Sequence, residues 1–245
     1  MQYEGNIIKM KSQLEDGEIK YHLPIGEDLV PLNGLLGKNI ELDYQHQINC
    51  IKCGRLTKKS FNQGFCYPCF RSAPEADPAI VKPELDQSHL GISRDMEWAK
   101  ENSLKPHYVY LAVTGQLKVG VTREKQVPAR WIDQGAWKAI KLAKTPYRYL
   151  AGVIEVELKK NFGDKTNWRH MLTNKVNRDI DLLEEKKRAA ELLPDGLKEY
   201  LTDEDEIMEL RYPVLGYPQK VKSINFDKTD HFQGILTGIK GQYLI

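Results

Sequence analysis

The four cysteines of this 245-residue chain lie in a single cluster, and this cluster constrains the local fold more than any other feature. Cys50 and Cys53 form one Cys-x-x-Cys pair, and Cys66 and Cys69 form a second pair after a loop of twelve residues. This spacing is typical of a structural zinc site, in which four thiolates surround one Zn²⁺. The sequence therefore predicts a closed, zinc ribbon-like module with these four cysteines as ligands.

Two other uses of these thiols remain open at this point, namely a pair of disulfides or a redox-active Cys-x-x-Cys. The N-terminal residues contain no apolar secretory segment, and disulfides are rare in reducing compartments, which favours zinc.

No stretch of the chain approaches the roughly 20 consecutive apolar residues that span a bilayer. We therefore expect a cytoplasmic protein that does not associate with membranes.

Charge is distributed unevenly, although the formal net charge is only +2. Residues 50–74 contain five Lys or Arg and no Asp or Glu, and residues 108–175 contain thirteen against five. Residues 176–212 are acidic, with twelve Asp or Glu against six Lys or Arg. Clustered basic charge is typical of proteins that bind polyanions, so we expect a DNA or RNA partner on the two basic segments. A solvated surface with fluctuating charge is the plainer interpretation.

The cysteine module carries basic and aromatic side chains together. Arg55, Lys58 and Lys59 precede Phe61 and Phe65 in the loop between the two cysteine pairs. Lysine and arginine neutralise phosphates and aromatic rings stack on bases, so we predict that these three basic residues bind nucleic acid. The alternative is that the aromatic rings only pack around the metal.

Pattern and composition divide the chain into six segments. The two ends alternate apolar and polar residues between turn signals, as short antiparallel strands do, and are candidates to complete one β domain together. The segments are a β-rich N-terminal segment (1–49), the four-cysteine module (50–72), a linker with a short helix (73–106), a core (107–175), an acidic helical segment (176–212) and a β-rich C-terminal segment (213–245).

Three details of these segments are specific enough to test. Residues 73–88 contain three prolines and are predicted to be a linker. Ser93 is predicted to cap the short helix that follows. Residues 203–209 resume the helical spacing that Pro194 interrupts, which predicts a solvated helical hairpin.

The core is predicted to be a β-hairpin, a helix, a strand and a second helix. Its strands are expected at 107–113, 118–123 and 139–144 and its helices from Pro128 and Leu150, because the apolar spacing changes between these segments. The predicted fold class of the whole chain is therefore α+β.

Within this core, Tyr108-Val-Tyr110 followed by Lys118-Val-Gly120 resembles the two motifs of GIY-YIG nucleases. The resemblance covers roughly residues 107–172 and implies a three-stranded sheet with flanking helices. The chain departs from the family pattern in a short gap of seven residues between the motifs and in having Lys118 where the second motif has tyrosine.

The same resemblance implies the catalytic residues Tyr110, Lys118, Arg130 and Glu155. Glu155, in a Glu-x-x-Leu-x-x-x-Phe frame, would hold Mg²⁺ or Mn²⁺, and Arg130 would contact the phosphate. Tyr110 would position a water, and Lys118 would serve as a second phosphate contact or as a base. Arg123 joins Arg130 as a predicted nucleic-acid contact.

Each of these residues also has a plainer interpretation. Tyr110 suits the core of a sheet, Arg130 suits a surface ion pair, and Glu155 suits a solvated helix start. Glu157 is the competing carboxylate on the same helix. The tryptophans of this region fit a core more readily than a base-stacking surface.

The chain as a whole also resembles an uncharacterised bacterial family, a domain of unknown function. In that family a four-cysteine module precedes this core and the run Asp164-Lys-Thr-Asn-Trp-Arg169 follows it. Asp164 and Thr166 are candidates to cap the helix that starts near Asn167. This resemblance brings no activity with it.

Three functions are open from the sequence. The first is a zinc-containing, divalent-metal-dependent endonuclease that hydrolyses phosphodiester bonds. The second is a non-catalytic DNA- or RNA-binding protein with a degenerate nuclease-like fold. The third is a protein-interaction scaffold whose working surface is the acidic segment.

Overall fold

A computed structural model describes residues 1–245 as a mixed α+β fold with several small antiparallel sheets. The strands are β1 (Lys11–Glu15), β2 (Glu18–Ile25), β3 (Asp28–Pro31), β4 (Asn39–Asp43), β5 (His107–Val113), β6 (Leu117–Arg123), β7 (Lys138–Thr145), β8 (Met208–Glu209), β9 (His231–Ile235), β10 (Ile239–Lys240) and β11 (Tyr243–Leu244). The α-helices are α1 (Tyr67–Ser72), α2 (Met96–Asn102), α3 (Ala129–Asp133), α4 (Arg148–Leu158), α5 (Trp168–Leu172), α6 (Leu182–Leu192) and α7 (Asp195–Lys198). None of them is long and apolar enough to cross a bilayer.

The largest sheet has the strand order β6-β5-β7-β8, and all of its pairs are antiparallel. Every residue of β5 is buried, because both faces of this strand are covered. Tyr110 and Ala112 face α3 and the N-terminal sheet. Val109 and Leu111 face α4 and α6. A strand covered on both sides is a continuous apolar run, as the sequence of β5 is.

The two ends of the chain meet in a two-stranded ribbon. β4 pairs antiparallel with β9, from Asn39 opposite Ile235 to Asp43 opposite His231. β1, β2 and β3 form a separate meander. Asn33, just after β3, links the chain to β2, because its side-chain oxygen accepts from the Tyr21 amide and its side-chain nitrogen donates to the Ile19 carbonyl. The N-terminal and C-terminal segments thus complete each other, as their strand-poor sequences suggested.

Residues 73–88, predicted to be a linker from their prolines, are packed against the core. With the two residues that follow, they form four 3₁₀ helices, at Pro74–Ala76, Pro78–Ile80, Pro83–Leu85 and Ser88–Leu90. Three of these begin with proline, whose fixed φ and missing N–H suit the first position of a helix. Arg148 at the start of α4 holds the segment, since its guanidinium donates to the carbonyls of Ala79 (3.1 Å) and Ile80 (2.7 Å).

The predicted solvated helical hairpin at 176–209 is wrong. Helix α6 buries Leu182 and Ala189 against the large sheet. Residues 208–209 form strand β8 beside β7, and the Thr202 amide donates to the Leu142 carbonyl at 3.0 Å. The backbone groups at the edge of β7 need partners, and this requirement overrides the weak helical pattern after Pro194.

Two helix starts also differ from the prediction. Asp95, not Ser93, caps α2 and accepts from the Trp98 amide at 2.9 Å. Asn167, and not Asp164 or Thr166, caps α5. In both cases the side-chain oxygen of the capping residue meets an amide two or three positions further on, as an N-cap requires.

Candidate functional site

The four cysteine sulfurs form one cluster, as their spacing predicts. All four sulfurs lie within 4.8 Å of one another, and those of Cys53 and Cys66 are 3.8 Å apart. Zn–S bonds of about 2.3 Å in a tetrahedron set the sulfurs about 3.8 Å apart, so the cluster fits a metal such as zinc. All four are free thiols, so the structure contains neither of the disulfides left open by the sequence.

The first cysteine pair is shaped by a tight turn. Gly54 has a φ of +70°, and its amide donates to the Cys50 carbonyl at 2.8 Å. Burial opposes ionisation of the Cys50 thiol, but the amides of Cys66, Cys53 and Lys52 donate to its sulfur and lower its pKa to about 6. Backbone donors therefore favour the thiolate, which is the form that binds a metal.

The aromatic and basic residues of the module meet at Phe61. Its ring packs against Tyr67 (ring centroids 5.4 Å apart) and Phe70 (5.7 Å). Arg55, Lys58 and Lys59, the predicted nucleic-acid contacts, are exposed. Lys59 also lies over the Phe61 ring, with its Nζ atom 5.5 Å from the centroid.

A second site lies beside the edge strand β6. Tyr110 is directly opposite Gly120, and Ala112 is opposite Lys118, so Tyr110 and Lys118 share one face of the sheet. Helix α3, with Arg130, covers this face. The chain after α4 runs along β6, where the Val119 amide donates to the Gly163 carbonyl at 2.8 Å.

The charges of the four residues named by the sequence act on one another. The positive charge of Arg130 lowers the pKa of Tyr110 and that of Lys118, and the negative charge of Glu155 raises both. The four side chains come from β5, β6, α3 and α4. Helix α3 covers the face of the sheet that carries Tyr110, and α4, with Glu155, covers the opposite face. The four residues form a cluster coupled by charge, in which Glu155 pairs directly only with Lys159.

Tyr110 forms the buried base of this cluster. It is 0% exposed, and its hydroxyl donates to Oε1 of Gln134 at 2.7 Å. Burial raises its pKa to about 12, against the opposing charge of Arg130. The side chain expected to position a water is thus a core residue, which agrees with its plainer interpretation.

Lys118 is a buried amine. It is 5% exposed, and the structure places no carboxylate within ion-pair distance of it, since Glu155 pairs instead with Lys159 at 3.1 Å. Burial lowers the pKa of Lys118 to about 8, and the charge of Arg130 lowers it further while that of Glu155 opposes the shift. A general base works best with a pKa near the operating pH, and burial moves Lys118 toward that range.

Glu155 is a buried carboxylate with a raised pKa. Burial is the main cause, and the negative charge of Glu84 adds to it, against the nearby charge of Lys159. Oε2 of Glu84 is itself buried and has no hydrogen-bond partner. Glu157, the competing carboxylate, pairs with Lys160 on the helix surface.

The sequence does not single out Glu84, because it lies in the segment predicted to be a linker. Its negative charge helps to raise the pKa of Glu155, so the two carboxylates act on each other. In proteins Mg²⁺ is usually held by one or two carboxylates together with water and phosphate. Glu84 and Glu155 do not belong to a group of three or more possible metal ligands in the structure.

Arg130 and Arg123 differ in how exposed their guanidinium groups are. Arg130 is exposed at the edge of the cluster and suits the planar, bidentate recognition of a phosphate. Arg123 is half-buried and donates to Oδ1 of Asn102, so it is held between β6 and α2. A phosphate would have to break that contact to bind Arg123.

Fold and sites together define the class: a mixed α+β protein with a four-cysteine cluster that fits a metal such as zinc, and with buried ionisable residues beside its large sheet. Residues 37–245 match the family described as "Protein of unknown function (DUF2797)", and the chain belongs to this family. No curated protein and no solved structure matches it. Membership in a domain family of unknown function is confirmed, and the nuclease-like interpretation stays a prediction.

Proposed function

We propose that this protein is a zinc-containing nucleic-acid-processing protein that hydrolyses phosphodiester bonds with the help of a divalent cation. The observation that supports the proposal is the cluster beside β6, where the exposed guanidinium of Arg130, the buried amine of Lys118 and the buried carboxylate of Glu155 are electrostatically coupled. A phosphate contact, a proton acceptor and a metal ligand are what hydrolysis of a phosphodiester requires.

Each side chain has a separate part in this proposal. Arg130 binds the non-bridging oxygens of the scissile phosphate. Lys118, when neutral, accepts a proton from the attacking water, or when charged gives a second phosphate contact. Glu155, with Glu84 beside it, would hold the cation, which when bound supplies Lewis-acid activation. Tyr110 is a positioning residue that supports Gln134 and the Gly120 backbone.

The cysteine module would increase the affinity for nucleic acid and would take no part in the hydrolysis itself. Its four-thiolate site leaves no open position on a metal, so the metal is structural. Arg55, Lys58 and Lys59 would contact phosphates irrespective of sequence.

Cleavage of plasmid DNA and of a labelled RNA, with Mg²⁺, Mn²⁺ or EDTA, tests the proposal. Glu155→Gln keeps the size of the side chain and removes its charge, and we expect it to abolish cleavage. Glu157→Gln is the matched control on the same helix, and it should cleave like the wild type. Thermal unfolding and zinc content should be equal in all three proteins.

The outcomes identify the substrate and decide whether the proposed site is correct. Metal-dependent cleavage of only one nucleic acid identifies the substrate. Cleavage that survives in Glu155→Gln, or that falls equally in Glu157→Gln, contradicts the assignment of this site.

A non-catalytic nucleic-acid-binding protein is the second candidate. It is favoured by the burial of the Tyr110 hydroxyl and by Lys118 at the position of the second-motif tyrosine. It predicts binding that weakens steeply with salt, with no cleavage by the wild type under any metal condition. The absence of salt-dependent binding to either nucleic acid would exclude both candidates and leave the scaffold.

A further inference from the structure

Two lysines of β7 lie over the ring of Tyr108, on the same face of the sheet as Tyr110. The Nζ atoms of Lys141 and Lys144 are 4.8 and 5.5 Å from the ring centroid. Residues three apart on a regular strand face opposite sides. The pairing of β7 with β5 shifts register between Val109 and Tyr110 of β5. This shift, as in a β-bulge, places both lysines of β7 on one side of the sheet.

Each lysine is paired with one carboxylate. Glu204 Oε2 lies 2.6 Å from the Lys141 ammonium, and Glu124 Oε1 lies 2.7 Å from that of Lys144. The Tyr108 hydroxyl is 3.4 Å from an oxygen of each glutamate. The two carboxylates thus lie side by side over a pair of cations, as neighbouring phosphates of a nucleic acid would.

Glu204 belongs to an acidic loop, Asp203-Glu204-Asp205-Glu206. The chain is attached to β7 before the loop, where the Thr202 amide donates to the Leu142 carbonyl, and after it, where Met208 pairs with Ala139. Between these points it leaves the sheet edge. Lys186 fixes its backbone, with Nζ 2.9 Å from the Glu204 carbonyl oxygen and 2.8 Å from Asp205 Oδ1.

The loop is held over the lysines by charge and is not closely packed against the sheet. A cavity of about 50 Å³ remains under it, next to Trp131, whose buried Nε1 has no hydrogen-bond partner. The side chains of Lys141 and Glu204 are 25% and 46% exposed, and those of Lys144 and Glu124 are 46% and 42% exposed. Ion pairs this exposed are weak and screened by salt, so a polyanion can compete with them.

We propose that Lys141 and Lys144, over the ring of Tyr108, are a second contact surface for nucleic-acid phosphates, and that the acidic loop masks this surface at Lys141, with Glu204 as a phosphate mimic. The proposal rests on the nucleic-acid binding in the proposed function and does not depend on cleavage. A charge-assisted contact from ammonium to carboxylate has the same geometry as one to phosphate, so the strand takes the position of Glu204.

Binding of a fluorescent single-stranded DNA and a matching RNA, measured by anisotropy in EDTA, tests the masking. Glu204→Gln/Glu206→Gln removes two charges from the loop. Glu27→Gln/Glu191→Gln is the matched control, because it changes the net charge equally at exposed positions, in the β2–β3 turn and in α6, that pair with neither lysine. We expect the loop variant to bind at least tenfold more tightly than the wild type and the control less than threefold more tightly. Equal tightening in both overturns the masking.

The lysines are tested by combining substitutions. In a Lys141→Gln/Lys144→Gln background, the loop substitutions should no longer tighten binding. A gain of tenfold that persists there overturns the assignment of the surface. If only the loop variant binds, masking is complete in the wild type. If no protein binds either nucleic acid at low salt, the surface proposal is contradicted, while metal-dependent cleavage is judged by its own assay with Glu155→Gln.

Discussion

Gly120 and Tyr110 face each other across strands β6 and β5, and a β-carbon on Gly120 would lie 2.6 Å from the Tyr110 hydroxyl oxygen. The same β-carbon would be 2.7 Å from Cζ of the ring. The tyrosine ring therefore lies directly over the glycine, and the hydroxyl reaches Gln134 only because this position has no side chain. The last residues of the two sequence motifs are thus joined by packing.

Gly120→Ala should destabilise the protein by about 1–3 kcal/mol, the usual range for overpacking a filled core. The cause is steric, because the β-carbon meets a ring that is enclosed on all sides. Urea denaturation measures the change. Gly196→Ala in α7 is the control, since no atom lies within 4 Å of its β-carbon, and it should leave the stability unchanged or raise it by up to about 1 kcal/mol, because alanine is the better helix former. Equal effects would contradict the packing argument.

The features that the sequence predicts are those that depend on local pattern. The cysteine spacing predicts the cluster of sulfurs, and the apolar run of β5 predicts a central strand. The position of Glu84 could not be predicted, because it depends on Gly152. A β-carbon there would be 2.3 Å from the Glu84 amide nitrogen, so only glycine lets α4 approach that backbone. Strand β8 likewise depends on the unpaired edge of β7, which no local pattern shows.

Cys53→Ser should remove zinc from the module and leave the rest of the chain folded. The module has its own small apolar cluster of Phe65, Ala73 and Ala76, separate from the two clusters that flank the large sheet. We expect one zinc per wild-type chain by elemental analysis and less than a tenth of this in the variant. Backbone NMR signals of β5 should persist, and those near Cys66 should broaden or shift.

Chelation of wild-type zinc should reproduce these changes, and added zinc should reverse them. Loss of the β5 signals together with the metal would show that the module and the sheet fold as one unit. Full zinc occupancy in Cys53→Ser would contradict the four-thiolate site.

Lys118→Met should stabilise the protein at pH 7. Burial lowers the pKa of Lys118 from 10.5 to about 8, so the unfolded chain holds this proton more tightly. The contribution of Lys118 to stability therefore rises with pH from about 8 to 10.5 and is least favourable below pH 8. The shift corresponds to at most about 3 kcal/mol at pH 7.

The difference in unfolding free energy between Lys118→Met and the wild type should shrink as the pH is raised from 7 to 10. Urea denaturation at each pH measures it, with the exposed Lys125→Met as control. A difference that does not depend on pH would mean that Lys118 is not desolvated. If Lys118 also takes part in hydrolysis, the more stable variant loses cleavage.

Glu84→Gln should lower the pKa of Glu155, because it removes the like charge that helps to raise it. Carboxyl-carbon NMR of Glu155 measures the shift, and Glu157→Gln should leave it unchanged, since Glu157 pairs with Lys160. An unchanged pKa in Glu84→Gln would place Glu84 outside the electrostatic range of Glu155.

The same substitution separates a metal site from a pair of merely neighbouring acids. If both carboxylates hold a cation, Glu84→Gln should weaken Mn²⁺ binding by about tenfold, measured by paramagnetic broadening of signals near Glu155. If Glu155 acts alone, the lowered pKa makes its carboxylate more fully ionised, and Mn²⁺ binding near pH 5 should be unchanged or tighter. Only the first case predicts weaker binding, so one titration near pH 5 decides whether the unpartnered oxygen of Glu84 belongs to the site.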